Sequence, residues 1–326
     1  MREKVLVTGG AGFIGARLCE KLLLLGYEVH VFDLIALEKA KRLQKIKEDQ
    51  NFFYTQGDLR NKEKIESWYL EEATTLFHLA SVVGVENYMN DPLSLIDIVI
   101  SGTRYLLELA TRFKTRVLFT STSEVYGKNE NTPWKENDDR VLGATSIDRW
   151  SYSTSKAVCE HMLFALNRSK GLKFTTVRFF NIYGPGQAPI FVASKSLYQA
   201  MNNKPPLIYD SGKQTRCFTY VDDALEAVVI ASQKEEAIAE VFNIGSNIET
   251  SMEDVVKICI EASGNNLNPA YFNTKKEYGD SYEDIGRRIP NVEKAKNILE
   301  WRATTSLKDG INKNVKWINQ NKWWLE

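Results

Sequence analysis

The stretch Lys4-Val-Leu-Val-Thr-Gly-Gly-Ala-Gly-Phe-Ile-Gly15 decides the fold. An apolar run leads into Gly9, Gly12 and Gly15, and an amphipathic run, Phe13–Leu25, follows. Glycine spacing alone says little; a strand before it and a helix after it give it meaning. In that setting Gly9 permits the tight turn and Gly12 lets backbone approach a pyrophosphate, while Gly15 lets the helix pack closely on the strand. Phe13 and Ile14 open the helix, whose N-terminus offers free N–H groups and partial positive charge to phosphates. Asp33 ends the next strand, eighteen residues beyond Gly15, where a carboxylate accepts hydrogen bonds from ribose hydroxyls. That charge repels a 2′-phosphate, and the following Leu34 and Ile35 supply no arginine to bind one, so NAD is the expected cofactor.

Outward from this turn, strand-like runs alternate with helical ones. Lys4–Val7, Glu28–Phe32, Phe52–Tyr54, Thr75–Leu79, Arg116–Phe119 and Phe174–Arg178 read as strands. Phe13–Leu25, Ala36–Glu48, Lys62–Tyr69, Leu93–Phe113 and Tyr152–Lys170 read as helices. This alternation predicts an α/β protein with a doubly wound parallel sheet, the Rossmann design. Asp58 and Leu59 follow the third strand, and Leu79, Ala80 and Ser81 end the fourth, so both groups are expected in the ligand crevice at the strands' carboxyl ends. Past residue 180 Pro and Gly become frequent and the elements shorten. We therefore expect a dinucleotide-binding domain over 1–180 and a smaller mixed α/β substrate lobe over 181–326, with segments near 220–245 returning to the first. The tail, Trp317 to Glu326, reads as a final helix.

The chain's 326 residues are 43% hydrophobic and 26% charged, with 42 basic against 42 acidic side chains. A balanced charge gives no support for nucleic-acid or anionic-membrane partners, which need a basic excess. No apolar run is long enough to span a bilayer and no secretory leader is visible. Cys19, Cys159, Cys217 and Cys259 are scattered, and His30, His78 and His161 show no metal spacing, so no metal is expected. His30 and His78 read as packing residues, and the compartment as reducing and cytoplasmic.

Chemistry enters with Thr120-Ser-Thr-Ser-Glu-Val-Tyr-Gly127, which puts Thr122, Ser123 and Glu124 at the ligand edge of the sheet. Further on, Tyr152-Ser-Thr-Ser-Lys156 spaces a phenol and an ammonium by one helical turn, on one face. Such a pair alone is usually structural; with the glycine turn and the hydroxyl loop upstream it reads as catalytic. A free tyrosine titrates near pH 10. A nearby ammonium and a positive nicotinamide would depress that value, so that Tyr152 removes a hydroxyl proton while Thr122 shares the hydrogen bond and Lys156 holds the nicotinamide ribose.

These residues, in this order, resemble the extended short-chain dehydrogenase/reductase superfamily of nucleotide-sugar epimerases, dehydratases and decarboxylases, and the resemblance runs end to end. It implies that Asn181, in Asn181-Ile-Tyr-Gly-Pro185, contacts a nucleotide-sugar. It implies that Arg216 binds its pyrophosphate and Arg288 its diphosphate or sugar acid, as guanidinium forks suit such anions. The look is closest to UDP-glucuronate decarboxylases, through Ser121–Gly127, Arg149–Tyr152 and Tyr278–Pro290, with Tyr88 in a sugar-pocket segment. Ser123 stands where glucose 4,6-dehydratases carry their acidic Asp, and Glu124 where simple 4-epimerases carry a small or hydroxyl residue. The implied reaction oxidises C4 of the sugar with Tyr152 as base and NAD as hydride acceptor. The 4-ketone then promotes loss of a C5 carboxylate. Alternatives are a 4-epimerase or dehydratase of a UDP- or dTDP-sugar, or a non-catalytic NAD-binding regulator, which would be expected to lack Tyr152 or Lys156. The resemblance also implies a homodimer built on the helices Leu93–Phe113 and Tyr152–Lys170.

Overall fold

The computed structural model describes residues 2–84, 91–272 and 285–326. Its first half alternates β1 (Lys4–Thr8), α1 (Phe13–Leu24), β2 (Glu28–Asp33), β3 (Phe52–Gln56), α2 (Lys62–Trp68) and β4 (Thr75–His78). There follow α3 (Pro92–Phe113), β5 (Arg116–Thr122), α4 (Arg149–Lys170) and β6 (Phe174–Phe179). Local chemistry sets the boundaries. Asp91 caps α3 by accepting from Ser94 N, and Pro92 opens the helix, where its missing N–H costs nothing. Gly171 ends α4 in the left-handed conformation.

The second half contains β7 (Ile182–Tyr183), α5 (Val192–Met201), β8 (Leu207–Tyr209), β9 (Thr215–Cys217), β10 (Thr219–Tyr220), α6 (Val221–Gln233) and β11 (Glu240–Ile244). It closes with β12 (Glu249–Ser251), α7 (Met252–Ser263), β13 (Ala270–Phe272), β14 (Arg287–Arg288) and α8 (Leu307–Gln320). One parallel sheet, ordered β11-β6-β5-β4-β1-β2-β3, carries the molecule. Val5, Leu6 and Val7 are buried without alternation because helices cover both faces. Leu18, Val29 and Val228 belong to the core on one face, Leu106, Phe119 and Leu163 to the core on the other. Each such side chain contributes about 1.5–3 kcal/mol by leaving water. A third cluster, with Leu197, Val255 and Ile311, centres the C-terminal lobe and its small sheets.

Two expectations need correction. Ala36–Glu48 is not a helix but two 3₁₀ turns, Leu37–Lys39 and Lys41–Leu43, followed by further turns. Only Ala40 and Leu43 are buried there, too little apolar surface to hold an isolated charged helix. The terminal helix begins earlier than expected, at Leu307, where Ser306 caps Asp309 N, and it stops at Gln320. Trp324 lies beyond it in a 3₁₀ turn and donates its indole N–H to the Gln187 carbonyl at 2.7 Å. Among the described residues no helix is long and apolar enough to cross a membrane, and the four cysteines are free and buried.

Candidate active site

The carboxyl ends of β1, β2, β4, β5 and β6 open onto one crevice. At β1, Gly9 takes φ +77, and a Cβ there would lie 2.8 Å from Ala80 backbone, so the turn runs directly against the segment Leu79–Ser81. Gly12 begins α1 with no side chain capping its first turn, which leaves N–H groups suited to a pyrophosphate. Gly15 packs closely, though on the Gly9 carbonyl rather than on β1: a Cβ would stand 2.0 Å from that oxygen. The glycine pressed against the sheet is Gly10, whose Cβ would meet Val31 at 2.5 Å. Gly15→Ala should therefore cost about 3 kcal/mol or more of overpacking, read as a lower thermal midpoint; an unchanged midpoint would contradict the tight turn. Phe13 and Ile14 are partly buried against the core, and Leu59 is buried.

Asp33 sits at the tip of β2, its Oδ2 accepting from Ala11 N at 2.9 Å and its Oδ1 from Ile35 N at 3.0 Å. Burial pushes its carboxyl above the ordinary range, against those backbone N–H bonds and the charge of Arg42. Leu34 and Ile35 are exposed, but an arginine does approach this carboxylate: Arg42 comes from the irregular segment after β2 and donates to the Gly186 carbonyl at 2.7 Å. Asp58 is held by Arg60, whose Nη2 lies 2.6 Å from Oδ2 and draws the carboxyl below its ordinary value. The turn, the uncapped helix and the ribose-side carboxylate fit a dinucleotide.

Tyr152 and Lys156 share one face of α4, and Thr122 and Ser81 bring hydroxyls to the phenol. Ser81 Oγ is buried there without a well-aligned hydrogen bond of its own. Burial, then the charge of Glu124, push the phenol above its ordinary value. The depression expected from the sequence depends on a positive nicotinamide beside the phenol as well as on an ammonium. The Lys156 ammonium is fully buried, donates to the Thr120 carbonyl at 2.9 Å and stands 4.7 Å from the Phe119 ring centre. Burial lowers its own pKa to about 8.

Glu124 is the second residue of the 3₁₀ turn Ser123–Tyr126 after β5, which Thr122 caps by accepting from Glu124 N at 3.2 Å. Its carboxylate accepts from Arg288 Nη1, and Arg149 Nη2 lies 3.7 Å from the other oxygen. Burial would raise its pKa, but Arg288 and Arg149, with Arg216 behind them, outweigh that and hold it below the usual range. Arg288 and Arg216 stand side by side because β14 pairs with β9 in parallel register; Arg216 Nη1 donates to the Thr215 carbonyl at 2.8 Å. Ser123, next to Glu124, is buried. Asn181 takes φ +39 and donates through Nδ2 to the Cys217 carbonyl at 3.0 Å, facing the same lobe. Tyr88 and segment 278–284 lie outside the described residues. Arg149, whose sequence signal was only its place one turn before Tyr152, was missed as a member of this charge cluster, as was Arg42 at the crevice.

His78 is buried beneath the crevice, its ring between Thr8 Oγ1 at 2.7 Å and Thr103 Oγ1 at 2.9 Å. Burial, then the Lys156 charge, lower its pKa to about 3. Unfolded, the same ring takes a proton near pH 6.5. Between those values the unfolded chain binds more protons, so stability falls as pH drops through that window, by about 1.4 kcal/mol per unit. Thermal unfolding from pH 7 to 4 should show a smaller loss for His78→Asn than for the parent; equal losses would contradict the buried neutral ring. His30 lies against Phe53 in a stacked ring pair, 4.5 Å between centroids.

A doubly wound sheet with a glycine turn, a ribose-side carboxylate and a tyrosine–lysine helix at one crevice defines a dinucleotide-dependent oxidoreductase-type fold. Comparison with known proteins narrows this. The family model described as GDP-mannose 4,6 dehydratase matches residues 6–314. UDP-N-acetyl-alpha-D-glucosaminuronate decarboxylase of Bacillus cytotoxicus is 35% identical, over 98% of this chain and 99% of that one. UDP-glucuronic acid decarboxylase 1 of Xenopus tropicalis is 30% identical over 98% of this chain and 73% of its own length. The UDP-glucuronic acid 4-epimerase of Bacillus cereus, solved with UDP-glucuronic acid and NAD, superposes with a TM-score of 0.83 at 26% identity, covering 98% and 99% of the two chains. The chain belongs to the extended short-chain dehydrogenase/reductase family of NAD-dependent nucleotide-sugar epimerases, dehydratases and decarboxylases.

Proposed function

We propose that this enzyme decarboxylates a UDP-linked uronic acid of the UDP-glucuronate type through transient oxidation at C4. The observation that carries the reading is the charge cluster beside Tyr152: one carboxylate, Glu124, among the buried arginines Arg288, Arg149 and Arg216. Guanidinium groups bind phosphate and carboxylate oxygens bidentately, which suits this cluster to the diphosphate and the sugar acid of such a substrate. The decarboxylase relatives support the same choice.

Gly9, Gly12, Gly15 and Asp33 would hold the cofactor, with Asp58, Leu59, Leu79, Ala80 and Ser81 lining it. NAD, when bound, supplies a hydride acceptor for the sugar's C4 hydrogen. Tyr152 accepts the C4 hydroxyl proton, Thr122 shares the hydrogen bond to that oxygen, and Lys156, on the same face of α4, ties the helix to β5 through the Thr120 carbonyl. Once C4 is a ketone, a carboxylate on C5 is a β-keto acid. The bond from C5 to the carboxyl carbon then breaks and its electron pair flows into the ketone as an enolate. Carbon dioxide leaves and a proton returns to C5; return of hydride to C4 and of the proton from Tyr152 to its oxygen would restore the sugar's oxidation level, so that NAD is not consumed.

Arg288 orients the acid. A uronate arriving there shares that arginine with Glu124, and two carboxylates at one cation raise each other's proton affinity. Glu124, ionised while Arg288 holds it, thereby takes up a proton from solvent as the uronate docks and passes it to C5, with Ser123 beside it. Arg216 takes the diphosphate and Asn181, with Tyr88, the remainder of the nucleotide-sugar. The enzyme acts as a homodimer through α3 and α4. Incubation with UDP-glucuronate and NAD, followed by mass spectrometry, tests the reading. A product lighter by one carbon dioxide is expected. An isomer of unchanged mass or a product lighter by one water points to the epimerase or dehydratase reaction instead.

A further inference from the structure

Beneath the crevice, one turn beyond Lys156 on α4, lies a second charged pair that the mechanism above does not use. Glu160 and Arg178 are both buried, and they meet through two bonds: Arg178 Nε to Glu160 Oε1 at 3.0 Å and Nη2 to Oε2 at 2.6 Å. A buried ion pair is weak evidence for stability, since apolar replacements of similar volume are often neutral or better. What sets this pair apart is what else it touches. Ser121 Oγ donates to Glu160 Oε1 at 2.5 Å, and Ser121 stands between Thr120, whose carbonyl anchors Lys156, and Thr122. At the far side Arg178 Nη1 donates to Tyr126 Oη and to the Glu136 carbonyl, both at 2.8 Å, and Tyr126 Oη donates to Asn243 Oδ1 at 2.7 Å. One ion pair therefore clamps both ends of the segment Thr122–Glu124, the entry through Ser121 and the exit through Tyr126.

We infer that Glu160 is a positioning residue, which acts through Ser121 and Arg178 to hold Lys156 and the segment Thr122–Glu124 in register with Tyr152. The inference rests on the reading of Tyr152 and Lys156 given above. Its electrostatic side agrees with the geometry. The groups facing Lys156 are His78 from β4, neutral in its buried site, and Cys159 and Glu160 from α4, while Arg178 from β6 lies beyond Glu160. Burial drives Lys156 toward its neutral form, and Cys159 and Glu160 oppose it.

Glu160→Gln keeps the shape and removes the charge. With a nucleotide-sugar substrate, kcat should fall about tenfold or more while KM stays within about threefold, the pattern of lost transition-state positioning. The Lys156 titration, followed by NMR of ε-labelled lysine and assigned with Lys156→Arg, should move down by about one pH unit. Ser121→Ala leaves the ion pair intact and releases only β5; it should lose kcat by about threefold at a nearly unchanged thermal midpoint. It decides the matter if Glu160→Gln does not fold. A folded Glu160→Gln with parental kcat and parental Lys156 titration overturns the inference, and so does a Ser121→Ala enzyme with full kcat. If the parent itself turns over no nucleotide-sugar, the functional reading fails. The lysine titration, which needs no substrate, then decides the positioning role alone.

Discussion

A Tyr152→Phe enzyme should fold as the parent does and turn over a UDP-uronate at least about a hundredfold more slowly, the usual scale for losing a positioned acid–base group. The phenol is partly buried and approached by the Ser81 and Thr122 hydroxyls, so its removal leaves two small polar groups in a crevice that keeps its shape. The stability change should accordingly stay within about 1 kcal/mol. The loss belongs in kcat, because the arginines assigned to the diphosphate and the sugar acid, Arg216 and Arg288, come from another part of the chain. Steady-state rates with product measured by mass spectrometry check this. A variant with parental kcat would remove the phenol from the mechanism.

Glu124→Gln should show the second-largest effect, and of a different kind. Its carboxylate is the acceptor for Arg288 and lies 3.7 Å from Arg149. Its neutralisation takes one ionic contact from each of those cations, at a cost of about 3 kcal/mol to folding. Oxidation at C4 does not require this group in the proposed scheme, but proton return to C5 does. Steady-state turnover should therefore drop about a hundredfold, with carbon dioxide of the first turnover released and the decarboxylated C4 ketone held on the enzyme. Quenching with borodeuteride would trap that ketone as a sugar deuterated at C4. Parental steady-state turnover, or no trapped label, would place Glu124 outside the step assigned to it.

Local chemistry made the cofactor end legible in the sequence. A glycine turn between strand and helix, and an acidic residue at the next strand's tip, are short-range patterns whose spacing follows from the turn itself. The tyrosine–lysine pair was legible for the same reason, as one turn of one helix. The segment Ala36–Glu48 misled because its apolar residues follow a helical period while only Ala40 and Leu43 are fully buried, Leu37 and Ile46 packing against the core in part.

Other features arise only when distant segments meet. Glu124 and Arg288 are 164 residues apart, Arg42 and Gly186 144 apart, and Glu160 meets both Ser121 and Arg178 across three elements. No periodicity encodes such meetings. The direction of the Tyr152 shift was hidden likewise, since it depends on burial and on Glu124 next to it in space. The spacing of Tyr152 and Lys156 gave no hint that the ammonium is engaged by the Thr120 carbonyl.

The central claim is that a C4 ketone made at Tyr152 is used to expel the C5 carboxyl group. UDP-glucuronate labelled with carbon-13 at its carboxyl carbon, incubated with the enzyme and NAD, tests it most directly. Labelled carbon dioxide should appear in step with an unlabelled UDP-pentose. Full retention of the label in a nucleotide-hexuronate, with turnover detected, would contradict it.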